Sequence, residues 1–145
     1  MAREDFVCAH RLRVRWAEVD MQKIVFNGHY LTYIDTAIAE YWREIGFPYP
    51  HGYVERYGND VYLRKATVEY LGSARYDDEL TVCCRVAKLG RSSMTFAFEI
   101  SKEDAPLLVT AELVYVNADP QMQPAPLPEE LREKVRRYER IAPQS

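Results

Sequence analysis

The feature of this sequence that most constrains its fold is a change of hydrophobic period near residue 27. Residues 10–16, HRLRVRW, alternate basic with mainly apolar side chains, which predicts a half-buried strand. After residue 27 the apolar side chains recur at steps of three and four, which predicts a helix with Asn27 as its N-cap and Gly46 as its stop. Apolar residues cover most of the circumference of this helix, so other elements must surround it.

Segments of period two fill much of the remaining chain. Strands are predicted over residues 59–71, 79–89, 94–100 and 107–117. The inward-facing positions of the first of these strands change parity near Lys65, which indicates a β-bulge. Short turns between the last three strands favour an antiparallel meander.

One long helix, a run of strands and a peripheral terminal helix predict an α+β fold. We expect a curved antiparallel sheet wrapped around one long central helix, plus a C-terminal helix. A chain of 145 residues fits one domain, 1–145, with a core of about 7–118 and a linker and helix in 119–145. The edges of an open sheet need cover, which favours pairing with a second copy.

Composition and charge argue against several functional classes. The net charge is -3, which leaves no basic footprint for nucleic acid. The apolar runs are far shorter than the roughly 20 residues of a membrane span, and no signal-peptide region opens the chain, so a cytoplasmic location is expected. The three cysteines and three histidines lack the spacing of metal ligands, so no metal is expected.

The stretch EVDMQKIVFNGHY, residues 18–30, contains the strongest candidate for chemistry. Asp20 stands beside apolar residues, which disfavour its charged form, and before a helix N-terminus, which favours that form. A carboxylate held ionised with little water is a strong nucleophile or base. The first helix amides, near Asn27 and Gly28, can stabilise an oxyanion, and Gly28 allows a substrate to approach the backbone. These groups predict half of an acyl-transfer site.

Each of these residues also has an ordinary structural interpretation. An Asp in a loop commonly bonds its own backbone, and Glu18 fits a solvated charge at a strand end. His29 fits a first-turn helix residue, although its imidazole could assist proton transfer or hold a substrate. The helix tyrosines fit a core. No serine lies in a G-x-S-x-G elbow and no glycine-rich loop could cradle phosphates, which argues against a serine hydrolase or a nucleotide-binding protein.

Residues 14–37, VRWAEVDMQKIVFNGHYLTYIDTA, resemble the opening signature of the hotdog-fold acyl-CoA thioesterases of the 4-hydroxybenzoyl-CoA thioesterase family. The shared features are an aromatic residue near the end of the first strand, an acidic-x-Asp unit, a short apolar run, and Asn or His with Tyr at the helix start. In this sequence they are Trp16, Glu18 with Asp20, residues 24–26 and residues 27–30. Residues 75–82, RYDDELTV, also resemble a strand of the family, and the order of elements agrees over about residues 7–118.

The resemblance implies an enzyme that hydrolyses an acyl-CoA thioester to a free acid and coenzyme A without a cofactor. Asp20 would be the catalytic carboxylate, acting as nucleophile or as general base for water. The amide of Asn27 would polarise the thioester carbonyl, and Gly28, His29 and Tyr30 would contact the substrate. The family's sites lie between subunits, which implies a homodimer or homotetramer.

A second set of binding residues is expected in the turn GRSS, residues 90–93. It offers the cation of Arg91 and the hydroxyls of Ser92 and Ser93, which could hold the phosphates of coenzyme A. A solvated turn is the alternative interpretation.

Two departures from the family bear on the substrate. Many members carry Asp where this chain has Glu18, and Gly where it has Lys23. Lys23 could alter the loop, narrow the acyl entrance or contact the substrate. Two alternative functions also stand: a non-catalytic acyl-CoA or acyl-carrier-protein binding module of the same fold, and a hotdog dehydratase that uses His29.

Overall fold

The computed structural model describes residues 3–103 and 106–145, which form a five-stranded antiparallel sheet and three helices. The chain opens with strand β1 (Cys8–Arg13), long helix α1 (His29–Glu44) and short helix α2 (Val54–Tyr57). Then follow strands β2 (Asp60–Tyr70), β3 (Glu79–Leu89), β4 (Ser93–Lys102) and β5 (Leu107–Ala118), and helix α3 (Glu129–Tyr138). The sheet order is β1-β3-β4-β5-β2, so the predicted meander is confirmed and β1 and β2 are the edges.

Helix α1 packs against the inner face of the sheet, which confirms the α+β prediction. Its buried side chains are Tyr30, Tyr33, Ile34, Ala37, Ile38, Tyr41 and Trp42. The alternate residues of β3 and β4 that face the helix are also buried: Leu80, Val82, Cys84, Val86, Met94, Phe96, Phe98 and Ile100. Removing this apolar surface from water is the main driving force for the arrangement, because burial stabilises by about 25 cal/mol per Å².

The two ends of α1 differ from each other in how well they were predicted. The N-cap is Gly28 and no side chain caps it, so the prediction of Asn27 was wrong by one residue. Tyr30 donates its amide hydrogen to the Asn27 carbonyl at 3.3 Å, which places Asn27 in a turn before the helix. At the other end Gly46 adopts φ +91°, a left-handed conformation that favours glycine, and it ends the helix as predicted.

Strand β1 is shorter than the predicted strand over residues 10–16. The named strand ends at Arg13, and the chain then forms a single 3₁₀ turn over Trp16–Glu18. Trp16 falls on the mainly apolar side of the strand that the alternation predicts, but the residue is 74% exposed. The predicted bulge in β2 is confirmed, since the register with β5 shifts between Leu63 and Lys65.

The C-terminal segment covers a part of β3 that β1 does not reach. Leu131 and Val135 dock α3 through fully buried side chains. Beyond the helix, Gln144 pairs in parallel with Lys88, and its carbonyl accepts a hydrogen bond from Leu89 at 2.8 Å. None of the described helices combines the length and apolarity that crossing a bilayer would require.

Candidate active site

The loop between β1 and α1 is a small hairpin that presents Asp20. Val19 and Val25 form an isolated antiparallel bridge. The Asp20 amide donates to the Ile24 carbonyl at 3.0 Å, and the Lys23 amide donates to the Asp20 carbonyl at 2.9 Å. Lys23 adopts φ +66° to close this turn, at the position where many family members carry glycine.

The Asp20 side chain is half-buried and makes one local contact. Its Oδ1 accepts a hydrogen bond from the Gln22 amide at 2.8 Å. This is the bond to nearby backbone that a loop aspartate commonly makes. Within residues 3–103 and 106–145, no group donates a hydrogen bond to Oδ2. One carboxylate oxygen is therefore available for a substrate or a water molecule.

Asp20 lines an open cleft of about 740 Å³, which we call the Asp20 cleft. Its walls are Trp16, Val19, Asp20, Met21, Lys23, Arg75 and Tyr76. The rings of Trp16 and Tyr76 meet edge to face with centroids 5.4 Å apart. Lys23 and Arg75 add two positive charges beside the carboxylate. The cleft therefore offers apolar walls, one anion and two cations to a ligand.

Backbone pairing beyond the end of β1 brings Arg75 and Tyr76 to the cleft. The Val14 amide donates to the Asp78 carbonyl at 2.9 Å, and the Asp77 amide donates to the Val14 carbonyl at 3.1 Å. These bonds extend the pairing of β1 with β3 past their named strands. Sequence reasoning missed both cleft residues because they lie more than 50 positions after Asp20.

The start of α1 lies at the other end of the same loop. The Phe26 amide donates to the Glu18 carbonyl at 3.0 Å, which ties the helix start to the base of the hairpin that carries Asp20. Across the described part of the chain, the amides of Asn27 and Gly28 donate to no carbonyl or side chain. Unbonded amides at a helix N-terminus can polarise a carbonyl oxygen, as proposed for Asn27 from the sequence.

The other residues predicted near the helix start occupy different environments. Gly28 is exposed, and a Cβ there would lie 3.1 Å from the Phe26 ring. His29 is half-buried, with its ring edge to face with Phe26 at 6.0 Å. Tyr30 is 2% exposed, and its hydroxyl accepts a hydrogen bond from the Ala74 amide at 3.0 Å. Tyr30 thus lies in the core of the chain, where it fastens α1 to the segment before β3.

The predicted phosphate-binding turn lies far from Asp20 within one chain. Arg91 and Ser92 follow β3, and Ser93 opens β4, whereas the Asp20 cleft lies near the first residue of β3. Eleven residues at about 3.3 Å each separate the two ends of that strand by roughly 30 Å. The Arg91 carbonyl accepts hydrogen bonds from the Leu127 amide and the Arg132 guanidinium, both at 2.9 Å.

The burial of Glu18 is a point on which the prediction from the sequence was wrong. Glu18 was expected to be solvated, but it is 6% exposed. Its Oε1 accepts hydrogen bonds from the Arg15 amide and the Tyr33 hydroxyl, and its Oε2 accepts one from Arg15 Nε, all at 2.8 Å. Burial opposes ionisation, but these three donors outweigh it and lower the pKa of Glu18. No capping-box sequence marks this turn, because Arg15 stands where Ser or Thr would signal one.

A second cavity of about 220 Å³ lies between α1 and the sheet. It is lined by Asp35, Ile38, Ala39, Trp42, Tyr49, Val61, Phe96 and Tyr115 and shares no residue with the Asp20 cleft. Among the residues that the structure describes, no group of three His, Cys, Asp or Glu side chains could hold a metal ion.

Comparisons with known proteins place these features in a family. Residues 22–109 match the model of the thioesterase superfamily, a region that begins two residues after Asp20. The chain is 36% identical to a putative esterase of Aquifex aeolicus over 95 residues, which are 66% of this chain and 73% of that protein. It is 30% identical over 121 residues to the acyl-CoA thioester hydrolase YbgC of Escherichia coli, covering 83% and 89% of the two chains.

A solved structure resembles the whole fold. The thioesterase of Thermus thermophilus, in complex with coenzyme A and zinc, superposes with a TM-score of 0.81 at 28% identity. The superposition covers 93% of this chain and 96% of that one.

Proposed function

This chain belongs to the thioesterase superfamily, and we propose from that premise that it hydrolyses an acyl-CoA thioester to a free acid and coenzyme A. The observation that carries the proposal is the position of Asp20, half-buried in a cleft with one oxygen unbonded. The relatives named as an esterase, a thioester hydrolase and a coenzyme A-bound thioesterase support it. No cofactor is required by this chemistry.

In the general-base route, Asp20 takes a proton from water while the water oxygen attacks the thioester carbonyl carbon. The carbonyl oxygen gains negative charge, which the unbonded amide of Asn27 stabilises. Collapse of this intermediate breaks the carbon–sulfur bond. The thiolate of coenzyme A leaves and takes the proton from Asp20, which restores the carboxylate, and the acid is released.

In the nucleophilic route, an Asp20 oxygen bonds to the carbonyl carbon and the thiolate leaves, which forms a mixed anhydride. Water then hydrolyses the anhydride and restores the carboxylate. The two routes are separable, because hydroxylamine added during turnover converts an anhydride to a hydroxamate. A hydroxamate at Asp20, detected by mass spectrometry, supports the nucleophilic route.

The proposal is tested by Asp20→Asn, which keeps the acceptor for the Gln22 amide but removes the charge. We expect turnover of an acyl-CoA panel, followed by free-thiol release, to fall at least about a hundredfold, the scale of losing a general base. Asp119→Asn is the matched control, because Asp119 accepts the Gln121 and Gln123 amides in a similar loop bond away from the cleft.

Three outcomes of this test have distinct meanings. Full activity in a folded Asp20→Asn protein refutes the assignment of Asp20. Equal losses in the two variants would show that losing the charge of a turn aspartate lowers activity wherever the turn lies, which contradicts a catalytic role for Asp20. Coenzyme A binding by the native chain, with no turnover across aliphatic and aromatic acyl groups, favours the non-catalytic binding module.

We also propose that a second copy of the chain completes the site. Strand β2 is a sheet edge, and three of its large side chains, Tyr62, Leu63 and Tyr70, are between 42% and 49% exposed. Exposed apolar edge strands in natural proteins are generally covered. Arg91 and the Asp20 cleft lie at opposite ends of β3, a strand roughly 30 Å long, so we propose that the Arg91 of a second copy holds coenzyme A at the Asp20 cleft.

A further inference from the structure

Glu18 occupies an unusual position for an acidic residue that lies two positions from the candidate catalytic carboxylate. Asp20 is half-buried and lines the cleft, whereas Glu18 is 6% exposed and does not line it. Both Glu18 carboxylate oxygens already accept hydrogen bonds, from Arg15 and Tyr33. A carboxylate that is enclosed and occupied in this way cannot act on a substrate directly.

The hydrogen bonds of Glu18 join the segment after β1, helix α1 and the residues just before the helix start. Its carboxylate binds the amide of Arg15, which lies two residues after β1, and the hydroxyl of Tyr33, which lies in α1. Its backbone carbonyl accepts the Phe26 amide, immediately before the unbonded amide of Asn27. Glu18 therefore anchors, through its own hydrogen bonds, the base of the hairpin formed by residues 19–25, which contains Asp20.

The Tyr33 bond sets the relation between the hairpin and the helix. The Tyr33 side chain is buried, and both its burial and the Glu18 carboxylate raise its pKa, so the hydroxyl stays protonated as a donor. A hydrogen bond to a charged group is about twice as strong as a neutral one and has a defined geometry. Shortening or removing either side chain removes the side-chain bond that joins the hairpin base to α1, and leaves only backbone bonds there.

We infer that Glu18 is a positioning residue, which holds the Asp20 carboxylate in register with the amides at the start of α1 through Tyr33 and Arg15. The inference rests on the proposed function, because Asp20 and the Asn27 amide must act on the same carbonyl group. A misplacement of about 1 Å in such a site can lower the rate about a hundredfold.

The first test uses Tyr33→Phe, which removes one hydroxyl and keeps the buried ring. We expect kcat to fall about tenfold with KM changed less than about threefold, because the cleft walls are untouched. The matched control is Tyr41→Phe, which removes a hydroxyl that donates to the Glu139 carboxylate at 2.7 Å toward the other end of α1. The control should lose stability but keep kcat.

The second test replaces Glu18 itself. Glu18→Ala should lower kcat about a hundredfold, and Glu18→Gln should recover part of that loss because its amide oxygen still accepts from Arg15 and Tyr33. Equal kcat values for native protein, Tyr33→Phe and a folded Glu18→Ala would overturn the inference. If Glu18→Ala does not fold, the comparison of Tyr33→Phe with Tyr41→Phe decides alone, and equal losses of kcat there overturn it.

A double-mutant cycle separates this inference from the function on which it rests. If Glu18 acts through Asp20, Glu18→Ala combined with Asp20→Asn is no slower than Asp20→Asn alone. Multiplying losses would show that Glu18 acts independently of Asp20 and would overturn the inference. Full activity of Asp20→Asn would instead refute the proposed function, whatever Glu18 does.

Discussion

Two acidic residues separated by one position have different roles because their surroundings differ. The Glu18 carboxylate is buried and accepts three hydrogen bonds from protein groups. The Asp20 carboxylate accepts one and faces a cleft. The local sequence does not distinguish them, since each is flanked by apolar residues. The distinction arises from the 3₁₀ turn over Trp16–Glu18, which points one side chain at α1.

Lys23 is the residue whose backbone conformation predicts a measurable effect. Its φ of +66° disfavours a residue with a Cβ by roughly 1–2 kcal/mol. We expect Lys23→Gly to raise the free energy of unfolding by about 1 kcal/mol, measured by urea denaturation. The unfolded chain gains freedom from the same change, which offsets part of the gain.

Gln22→Gly is the matched control for this prediction. Gln22 is the neighbouring exposed residue and does not have a positive φ. Glycine there should lower the free energy of unfolding by about 0.4–1 kcal/mol. A loss of stability in both variants would contradict the left-handed conformation of Lys23.

At the scale of elements, the segment after α3 extends the hydrogen bonding along the outer side of β3, beyond the residues that pair with β1. Strand β1 pairs with β3 only as far as Cys84, so the following amides of β3 need other acceptors. The Glu139 carboxylate accepts the Val86 amide at 2.8 Å and the Tyr41 hydroxyl at 2.7 Å. Gln144 continues the cover further along the strand.

The burial of Glu139 predicts a pH dependence of stability. Burial raises its pKa, although the bonds from Tyr41 and Val86 and the charge of Arg85 oppose this effect. The folded state then holds the proton more tightly than the unfolded chain. Its contribution to stability is full below the ordinary glutamate pKa of about 4.3 and is lost as pH rises through the raised pKa.

Glu139→Gln removes this titration and tests the prediction. The unfolding free energy of the native chain minus that of the variant should decrease as pH rises from about 4 to 8, in chemical denaturation at each pH. Glu133→Gln, at an exposed position of α3, is the matched control for the loss of one carboxylate. A constant difference for Glu139→Gln would show that the Glu139 carboxyl is not perturbed by folding.

At the scale of the whole molecule, the two edges of the sheet differ in how they are protected. The outer edge of β3 is covered by β1 and the C-terminal segment, whereas β2 lies at the opposite edge and most of its residues are exposed. Several walls of the Asp20 cleft are also open, since Met21 is 100% exposed and Tyr76 is 52% exposed. A second copy that covered these apolar surfaces would enclose the cleft.

Leu63→Glu tests whether β2 forms the contact between copies. A charge at this 49% exposed position should convert an assembled native protein to monomer in sedimentation experiments, because the desolvated charge would lack a partner. Turnover should fall together with assembly if the site is shared. Ile141→Glu, a 37% exposed position outside the sheet, should leave both unchanged.

Two results would contradict the proposal that copies of the chain meet at β2. If Leu63→Glu retains the native sedimentation coefficient and turnover, β2 is not the contact. If the native chain itself sediments as a fully active monomer, the proposal of a shared site is wrong.

Much of the fold follows from the sequence by itself, because hydrophobic period is a local property. The limits of β3, the bulge of β2 and the glycine stop of α1 are all visible as patterns within a few residues. The proposed action of Asp20 together with the amides at the start of α1 is equally local, since only seven positions separate Asp20 from Asn27. Short-range chemistry of this kind needs no knowledge of the rest of the chain.

Only the tertiary structure decided which distant groups meet. Arg75 and Tyr76 reach the cleft through backbone pairing across more than 50 residues, and Gln144 reaches β3 from the chain terminus. The burial of Glu18 depends on a tyrosine one turn into the helix, which no spacing rule connects to it. Side-chain type sets what a residue can do, but packing of the whole chain decides which partners it finds and how much water remains around it.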